Sequence, residues 1–423
     1  MENQEKRGGN VAAIVTMFAL FFMIAFVTNF AQPVGVVVEH QFKASKMLTQ
    51  LGSAANFLAY LFMGIPGGLI LKRKGYKFTA ITAILFGLAG LGIQLASGYI
   101  GSFAVYVAGA FIAGFSMCML NLVTDPLLNA LGGGGDKGNQ LIQFGCSCNS
   151  IGGTLSLIII ARLLGENYDN ATVAQVAPAM WIAIAIFALA LLVVAFSRIP
   201  EPHIETAEEK ADRLAGRTSV VKDIIETLKF RHFTCGAIAI FFYIVVEVGI
   251  PSMALLYMAD LKVDGALAVA PATAGIIGGA YWFCMGIGRF IGGAIGAKVS
   301  ARAQLAFGAF LAMALIAAIM FVPVRMVTIF GYQMPISMAF MVCCGFCTSI
   351  MWGNVYNLAA EGLGRLIPMA SGIFMAMVFG GVLLPLQGKV ADGFGILNAY
   401  WVTIGLLAYI FLYALVLSRP AKR

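Results

Sequence analysis

Long apolar runs constrain this chain more than any other feature. About twelve runs of roughly 20 mainly apolar residues follow one another, separated by short polar segments, and a run of that length is enough to cross a bilayer as a helix. Hydrophobic residues make up 61% of the chain and charged residues 11%, whereas soluble domains carry about 25% charged residues. The sequence therefore predicts an all-α integral membrane protein with twelve transmembrane helices.

The predicted spans form two groups of six. They are 11–38, 47–71, 78–96, 101–131, 139–164, 178–196, 233–258, 267–297, 304–322, 334–360, 368–390 and 396–417. We therefore expect an N-terminal six-helix half at 1–197, a cytoplasmic linker at 198–231 and a C-terminal six-helix half at 232–423. The linker contains two polar or amphipathic stretches, at 206–212 and 219–229, which predict helices at the membrane surface.

Short motifs recur in the same order in the two groups. Phe21-Phe22 recurs as Phe241-Phe242, and Met63-Gly64-Ile65 recurs as Met285-Gly286-Ile287. The pattern indicates pseudo-symmetric halves related by a parallel repeat. In carriers built this way the solute site lies between the halves, near the middle of the membrane.

The charge distribution predicts orientation rather than nucleic-acid binding. The formal net charge is +8, but the basic residues lie in short loops between apolar runs. Loops that include Lys72, Lys298 and Arg302 carry more positive charge than the loops on the other side, such as that of Arg325. The positive-inside rule then places both termini and the linker in the cytoplasm. We expect no cleavable signal peptide, because the first apolar run is long enough to span the bilayer.

Three charged residues inside predicted spans are candidates for function, because charge within a bilayer is costly. Glu247 lies in the middle of the seventh span, with Tyr243 one turn before it on the same face. A poorly hydrated site favours the protonated carboxyl group, so Glu247 is a candidate for coupling to a proton or another cation. Asp125 in the fourth span is a second coupling candidate, with a structural role as the alternative. Arg289 in the eighth span suits gating or an ion pair between helices.

Neutral polar and aromatic residues complete the predicted solute site. Amides donate and accept hydrogen bonds, which suits a hydroxylated solute, and aromatic rings offer flat apolar surface to a sugar. The alternative is that such residues hold helices together. Together with the Glu247 carboxyl group, the predicted substrate-binding residues are Asn29, Gln32, Asn121, Gln143, Asn149, Tyr243, Trp352, Asn354 and Tyr356.

No sequence pattern predicts an enzyme, a cofactor or a metal site. A glycine-rich nucleotide-binding loop with Gly-Lys-Ser/Thr is missing, which disfavours ATP-driven transport. The sequence Cys343-Cys344-Gly-Phe-Cys347 superficially resembles a metal or redox cluster, but it lies inside an apolar span. We interpret these cysteines as small packing residues.

The chain resembles the fucose–galactose–glucose permeases, the fucose:proton symporter family of the major facilitator superfamily. The similar segments include 20–29 in the first span, 67–77 after the second, Asp125-Pro126 in the fourth and 242–247 in the seventh. Gly288-Arg289-Phe290 and Ser349-Ile350-Met351 are also similar. The resemblance implies the major facilitator fold and sugar transport coupled to protons.

The chain departs from that family at the positions that would couple protons. The family has an Asp on the first helix and a Glu on the fourth, and the matching positions here are Gln32 and Asn121. A proline on the family's tenth helix is replaced by Gly353. Coupling would therefore use Glu247 or Asp125, use sodium, or be absent. The predicted lining has no Lys or Arg, which argues against a strongly anionic solute.

We expect a monomeric carrier in the bacterial inner membrane, surrounded by lipid, that imports a neutral sugar or similar solute. H⁺ or Na⁺ would be the coupling cation. Two alternatives remain open at this point: an exporter of drugs or metabolites with the same fold, and a membrane sensor that does not transport.

Overall fold

The computed structural model describes residues 2–28, 46–164, 173–215, 219–259, 271–296, 298–323, 325–329 and 331–420. The described helices are α1 (Glu2–Thr28), α2 (Lys46–Ile100), α3 (Phe103–Leu131), α4 (Gly135–Leu164), α5 (Val173–Phe196), α6 (Ala207–Leu214), α7 (Val220–Leu228), α8 (Arg231–Ala259), α9 (Pro271–Ile295), α10 (Ala301–Phe321), α11 (Ile336–Ser349), α12 (Met351–Ala360), α13 (Ile367–Ala376), α14 (Leu384–Phe394) and α15 (Tyr400–Leu412). Short 3₁₀ turns at Gly364–Leu366, Met377–Leu383 and Leu397–Ala399 adjoin α13, α14 and α15, and a π-helical turn at Tyr413–Leu417 follows α15.

The predicted all-α membrane fold is confirmed. Among the described residues, seven helical segments are long and apolar enough to cross a membrane, and 11–26 and 180–196 form shorter apolar helices. The amphipathic linker stretches form α6 and α7. The predicted candidates Asn29 and Gln32 lie outside the described residues.

The predicted second and third spans are joined in the helical segment α2, which is interrupted at Gly75. This residue has φ 85° and ψ 177°, so the chain changes direction there and a residue with a side chain would be strained. The Glu201 carboxylate accepts hydrogen bonds from the backbone N–H groups of Tyr76 and Lys77. It therefore satisfies donors that the first turn after the break leaves without intrahelical partners.

The predicted tenth span begins later than expected and is divided. Residues before it form an antiparallel hairpin of β1 (Met326–Ile329) and β2 (Tyr332–Pro335), with Met326 opposite Pro335. The span itself consists of α11 and α12, which meet at Ile350. Apolar composition alone could not show whether 334–335 belong to a strand or to a helix, because a short apolar run can form either structure.

The described chain groups into two compact units. Unit 1 comprises Met1–Gly134, Cys148–Phe230 and Gly362–Phe379, and unit 2 comprises Gly135–Ser147, Arg231–Glu361 and Gly380–Arg423. Most of each predicted half therefore lies in one unit, while 135–147 and 362–379 group with the opposite half. The predicted ends of the two halves, at 197 and 232, stay a prediction based on the repeat in the sequence.

Small residues allow helices to approach closely in both units. In unit 1, α13 lies against α2, and a β-carbon at Gly64 would be 2.6 Å from the backbone of Gly372 and of Ala376. In unit 2, α9 lies against α11, and a β-carbon at Gly345 would be 2.3 Å from the Tyr281 carbonyl oxygen. Within a membrane, such close van der Waals packing replaces the hydrophobic effect as the force that holds helices together.

Candidate functional site

The candidate site in unit 2 is centred on Glu247, in the middle of α8. Tyr243 and Glu247 are four residues apart and therefore share a helix face. The Tyr243 hydroxyl group donates a hydrogen bond of 2.8 Å to Glu247 Oε1. Tyr243 is fully buried, and the Glu247 side chain is 13% exposed.

The backbone of Glu247 also has a specific partner. Pro251 follows four residues later within α8 and has no N–H group, so it cannot form the usual helical hydrogen bond to the Glu247 carbonyl oxygen. The hydroxyl group of Tyr281, on α9, donates to that oxygen at 3.1 Å. The same hydroxyl group lies 3.0 Å from Thr348 Oγ1 on α11. Tyr281 therefore connects α8 to α11 at the level of the carboxylate.

Arg289 forms an ion pair with Glu247, with Nη2 3.1 Å from Oε1. Its guanidinium group also donates to the carbonyl oxygens of Ser349 and Cys146, both at 3.4 Å. Gly288 lets α9 approach α11 closely, because a β-carbon there would lie 2.3 Å from Ser349 Oγ. Arg289 thus contacts α8, α11 and the 135–147 part of α4. Removing one partner of such a buried pair costs about 3–5 kcal/mol, since the other charge is left uncompensated.

Amides of α4 form a second polar cluster in unit 2, next to the ion pair. Gln143 Nε2 donates to the Ile350 carbonyl oxygen at 2.9 Å, and Asn139 Nδ2 donates to Asn354 Oδ1 at 2.7 Å. Gln143, Asn139 and Asn354 are fully buried. In this conformation, Gln143 and Asn354 connect helices of unit 2.

The two aromatic candidates on α12 differ in their exposure. The Trp352 ring lies 6.3 Å from that of Tyr243, measured between centroids, and Trp352 is partly accessible. Tyr356, one turn further along α12, is 2% exposed. Trp352 therefore offers partly accessible aromatic surface next to the Tyr243 ring, while Tyr356 lies in the packed interior of unit 2.

The other described candidates belong to unit 1. Asn121 donates to the Tyr60 hydroxyl oxygen and to the Met117 carbonyl oxygen, both at 3.1 Å. Asn149 donates to the Phe21 carbonyl oxygen at 3.1 Å. Asp125 is fully buried. The structure thus groups Tyr243, Glu247, Arg289 and Trp352 together and places Asn121, Asp125 and Asn149 in the other unit.

Two residues of the site were not predicted from the sequence. Tyr281 lies in an apolar run without a polar pattern, and Asn139 lies at the predicted start of the fifth span. The sequence of α8 did indicate that such a donor is needed. Pro251 has no N–H group, so the Glu247 carbonyl oxygen needs another hydrogen-bond donor when it is buried. The residue that supplies the donor cannot be identified from the sequence, since it comes from another helix.

The arrangement can hold the Glu247 carboxylate in one geometry, and protonation can change the contacts of that carboxylate. Glu247 accepts from a neutral hydroxyl group and a guanidinium group, so its charge is balanced inside the protein. A proton that binds Glu247 removes that balance and leaves the Arg289 charge in a poorly hydrated site. Arg289 would then keep its contacts with the carbonyl oxygens of Ser349 and Cys146 and lose its contact with a carboxylate charge.

Comparisons with known proteins agree with this architecture. The family model described as Major Facilitator Superfamily matches residues 15–385. The glucose/galactose transporter of Brucella abortus biovar 1 (strain 9-941) is 27% identical over 411 residues, covering 96% of this chain and 94% of the relative. The L-fucose-proton symporter of Escherichia coli (strain K12) is 23% identical over 442 residues, covering 99% and 96%.

A solved structure shows the same fold. The crystal structure of the E. coli fucose:proton symporter superposes with a TM-score of 0.80 at 20% sequence identity, covering 96% of this chain and 98% of that chain. The resemblance to the fucose–galactose–glucose permeases is confirmed, and the named relatives are transporters, not enzymes. With a family model that matches most of its length, this multi-pass membrane protein belongs to the Major Facilitator Superfamily.

Proposed function

We propose that the protein imports a neutral sugar across the bacterial inner membrane by alternating access, as a monomer with both termini in the cytoplasm. The observation that carries the proposal is the balanced site around Glu247. The ion pair with Arg289 cancels the formal charge. The partly accessible Trp352 ring lies 6.3 Å from the ring of Tyr243, whose hydroxyl group binds the carboxylate. Hydroxyl groups of a sugar can both donate to a carboxylate and accept from a guanidinium group, whereas a charged solute would disturb the balance. The names of the relatives support a sugar.

The test is uptake by the purified protein in proteoliposomes. Radiolabelled glucose, galactose, fucose and other neutral sugars would be offered singly, with a hexuronate and an apolar drug as comparisons. We expect saturable uptake of at least one neutral sugar and none of the hexuronate. Transport of the drug without saturable uptake of any sugar would instead support an exporter. No transport of any solute would support the sensor alternative.

We further propose that a cation, H⁺ or Na⁺, is coupled to the sugar at Glu247. The carboxylate is held by Tyr243 and Arg289, so proton binding competes directly with the ion pair. The sugar is then bound when its hydroxyl groups take over the contacts that Arg289 loses. Asp125 is a second coupling candidate, supported by its complete burial in unit 1. Asn121, Asn149 and Tyr243 remain proposed substrate-binding residues, as do Gln143, Asn354 and Tyr356 in a conformation that exposes them.

Glu247→Gln tests the coupling proposal. We expect loss of uphill accumulation driven by a cation gradient, while sugar exchange at equilibrium continues, because the neutral amide cannot release a proton. Thermal unfolding of Glu247→Gln in detergent shows whether an unpaired Arg289 destabilises the protein, which would be a separate cause of any lost exchange. Exposed Glu361→Gln is the control and should transport normally. Undiminished uphill accumulation by Glu247→Gln would contradict coupling at this residue.

A further inference from the structure

Helix α7 of the linker is amphipathic, and its polar side faces the protein. Asp223 is 7% exposed and Thr227 is fully buried. Lys72, at the end of the second predicted span, lies 2.7 Å from Asp223 Oδ2. Arg365, which precedes the eleventh predicted span, lies 2.8 Å from Glu226 Oε2. The polar side of α7 is therefore held against unit 1, to which all five residues belong.

The opposite side of α7 is apolar and exposed. Val221, Ile225 and Leu228 have the i, i+4, i+7 spacing of one helix face and are 63%, 51% and 42% exposed. Each residue of an α-helix turns by about 100°, so this apolar stripe points about 150° away from the buried side at Asp223 and Thr227. A surface helix of a soluble protein buries its apolar stripe against its own core. Here the stripe faces away from the protein instead.

Three attachments hold α7 at the level where membrane-spanning segments end. Two are the ion pairs to Lys72 and Arg365, which adjoin the second and eleventh predicted spans. The third is the chain itself, because α7 ends at Leu228 and α8, which contains the seventh predicted span, begins at Arg231. Three backbone steps keep these two helix ends within about 11 Å of each other. The stripe of α7 is therefore close to the depth at which headgroups meet acyl chains.

Two lysines border the apolar stripe. Lys222 and Lys229 are seven residues apart, share one face of α7 and are both exposed. The helical angle places them about 80° from the stripe, between the stripe and Glu226. In a helix that lies in a membrane interface, apolar side chains enter the acyl boundary and neighbouring lysines reach the headgroups. An anionic headgroup layer strengthens binding about fivefold for each such lysine.

We propose that α7 is a binding surface for anionic phospholipids of the adjacent leaflet. The stripe of Val221, Ile225 and Leu228 contacts the acyl chains, and Lys222 and Lys229 bind the headgroup phosphates. Lipid fits this surface better than a soluble partner does, because the three attachments hold the stripe at the depth of the bilayer. The amphipathic sequence predicted a surface helix without indicating which side meets lipid or which headgroup it prefers. The surface does not depend on which solute is carried.

Photocrosslinking in lipid nanodiscs identifies what the stripe contacts. The photoreactive residue p-benzoylphenylalanine would replace Ile225 or Leu228, and Glu208 of α6 is the exposed control position. The nanodiscs contain equal amounts of phosphatidylglycerol and phosphatidylcholine, and mass spectrometry identifies the adducts. We expect lipid adducts at 225 and 228 but few at 208. Adducts with phosphatidylglycerol should exceed those with phosphatidylcholine about two- to fivefold.

Lysine variants separate headgroup recognition from contact with the acyl chains. In Lys222→Gln/Lys229→Gln we expect lipid adducts at 225 to persist, while the preference for phosphatidylglycerol disappears. Lys210→Gln, at an exposed position of α6, is the matched control and should keep the preference. The unfolding temperature of each variant, measured in the same nanodiscs, shows that the compared proteins are folded.

Three results would overturn the proposal. The first is a folded protein without lipid adducts at 225 and 228, which would mean that the stripe faces water. The second is crosslinking to a second copy of the chain in place of lipid, which would make the stripe a protein interface. The third is equal crosslinking to both lipids, or a preference that survives Lys222→Gln/Lys229→Gln. Failure of sugar uptake would not affect these measurements, so the two proposals can fail independently.

Discussion

Individual polar residues in the membrane-spanning helices are held by defined partners. Glu247 illustrates this best, because its carboxylate is bound by Tyr243 and Arg289 and its carbonyl group by Tyr281. The sequence identified Glu247, Tyr243 and Arg289 separately, from the cost of charge in a bilayer and from helical spacing. It could not identify the ion pair, because the two charges are 42 positions apart and on different helices.

Tyr281→Phe tests the role of the hydroxyl group at the Pro251 break. The Glu247 carbonyl oxygen should lose a donor that no neighbouring helical N–H group replaces, at a cost of about 1–3 kcal/mol. We expect a lower unfolding temperature and weaker coupling, measured by thermal unfolding in detergent and by uphill uptake. Tyr99→Phe at a site that is 73% exposed is the control and should leave both unchanged. Equal unfolding temperatures for the two variants would contradict this role.

We predict that His203, which lies in the linker outside the predicted spans, makes a pH-dependent contribution to the free energy of unfolding. Its Nδ1 contacts the hydroxyl group of buried Tyr76, and burial lowers the pKa of His203 below its usual value of 6.5. Because the unfolded chain then takes up a proton more readily than the folded one, this contribution is complete above about pH 6.5 and is lost as the pH falls towards the lowered pKa.

The measurement compares the unfolding temperature of the wild type with that of His203→Gln between about pH 5 and 8. The wild type should have its largest advantage at the upper end of that range, and the advantage should shrink as the medium becomes acidic. The variant removes the titrating group and leaves the other ionisable groups as a common background. A difference that grows on acidification would contradict the assignment.

At the scale of elements, small residues determine which helices can touch. Apolar runs predicted where helices lie along the chain but not which helices they pack against. Gly64 and Gly92 lie in α2 on opposite sides of the Gly75 break, and both have mainly apolar neighbours in the sequence. In the structure, Gly64 contacts the backbone of α13, whereas a β-carbon at Gly92 would have nothing within 4 Å. The breaks at Gly75 and Ile350 likewise depend on contacts or conformations that hydropathy does not reveal.

Gly64→Ala and Gly92→Ala form a matched pair for testing this packing. The methyl group at position 64 would meet backbone atoms at 2.6 Å, and such overpacking costs about 1–3 kcal/mol. At position 92 alanine has room and is a better helix former than glycine. We expect a lower unfolding temperature for Gly64→Ala and an equal or higher one for Gly92→Ala. The reverse order would show that the α2–α13 contact does not limit stability.

At the scale of the whole molecule, the distribution of basic residues predicts orientation in the membrane. Lys298 lies in a loop on the predicted cytoplasmic side, and Arg325 lies on the other side. Both side chains are exposed in the structure, which makes them suitable for chemical labelling. This prediction rests on the positive-inside rule alone.

Labelling of Lys298→Cys and Arg325→Cys with a membrane-impermeant maleimide tests the orientation. In intact cells we expect Arg325→Cys to react and Lys298→Cys to react only after the membrane is permeabilised. The unsubstituted protein, with its own cysteines, gives the background. Reaction of Lys298→Cys in intact cells would reverse the proposed topology.

The sequence by itself determined the class of fold, the succession of helices and the residues that bear charge inside the membrane. These properties follow from the local cost of placing polar groups in lipid, which can be calculated residue by residue. Only the tertiary structure decided that Arg289 neutralises Glu247, that Gln143 and Asn354 are engaged in helix contacts, and that α7 bridges Lys72 and Arg365. Contacts between helices depend on how closely the helices approach and on the direction in which their side chains point. Neither property can be read directly from the order of residues along the chain.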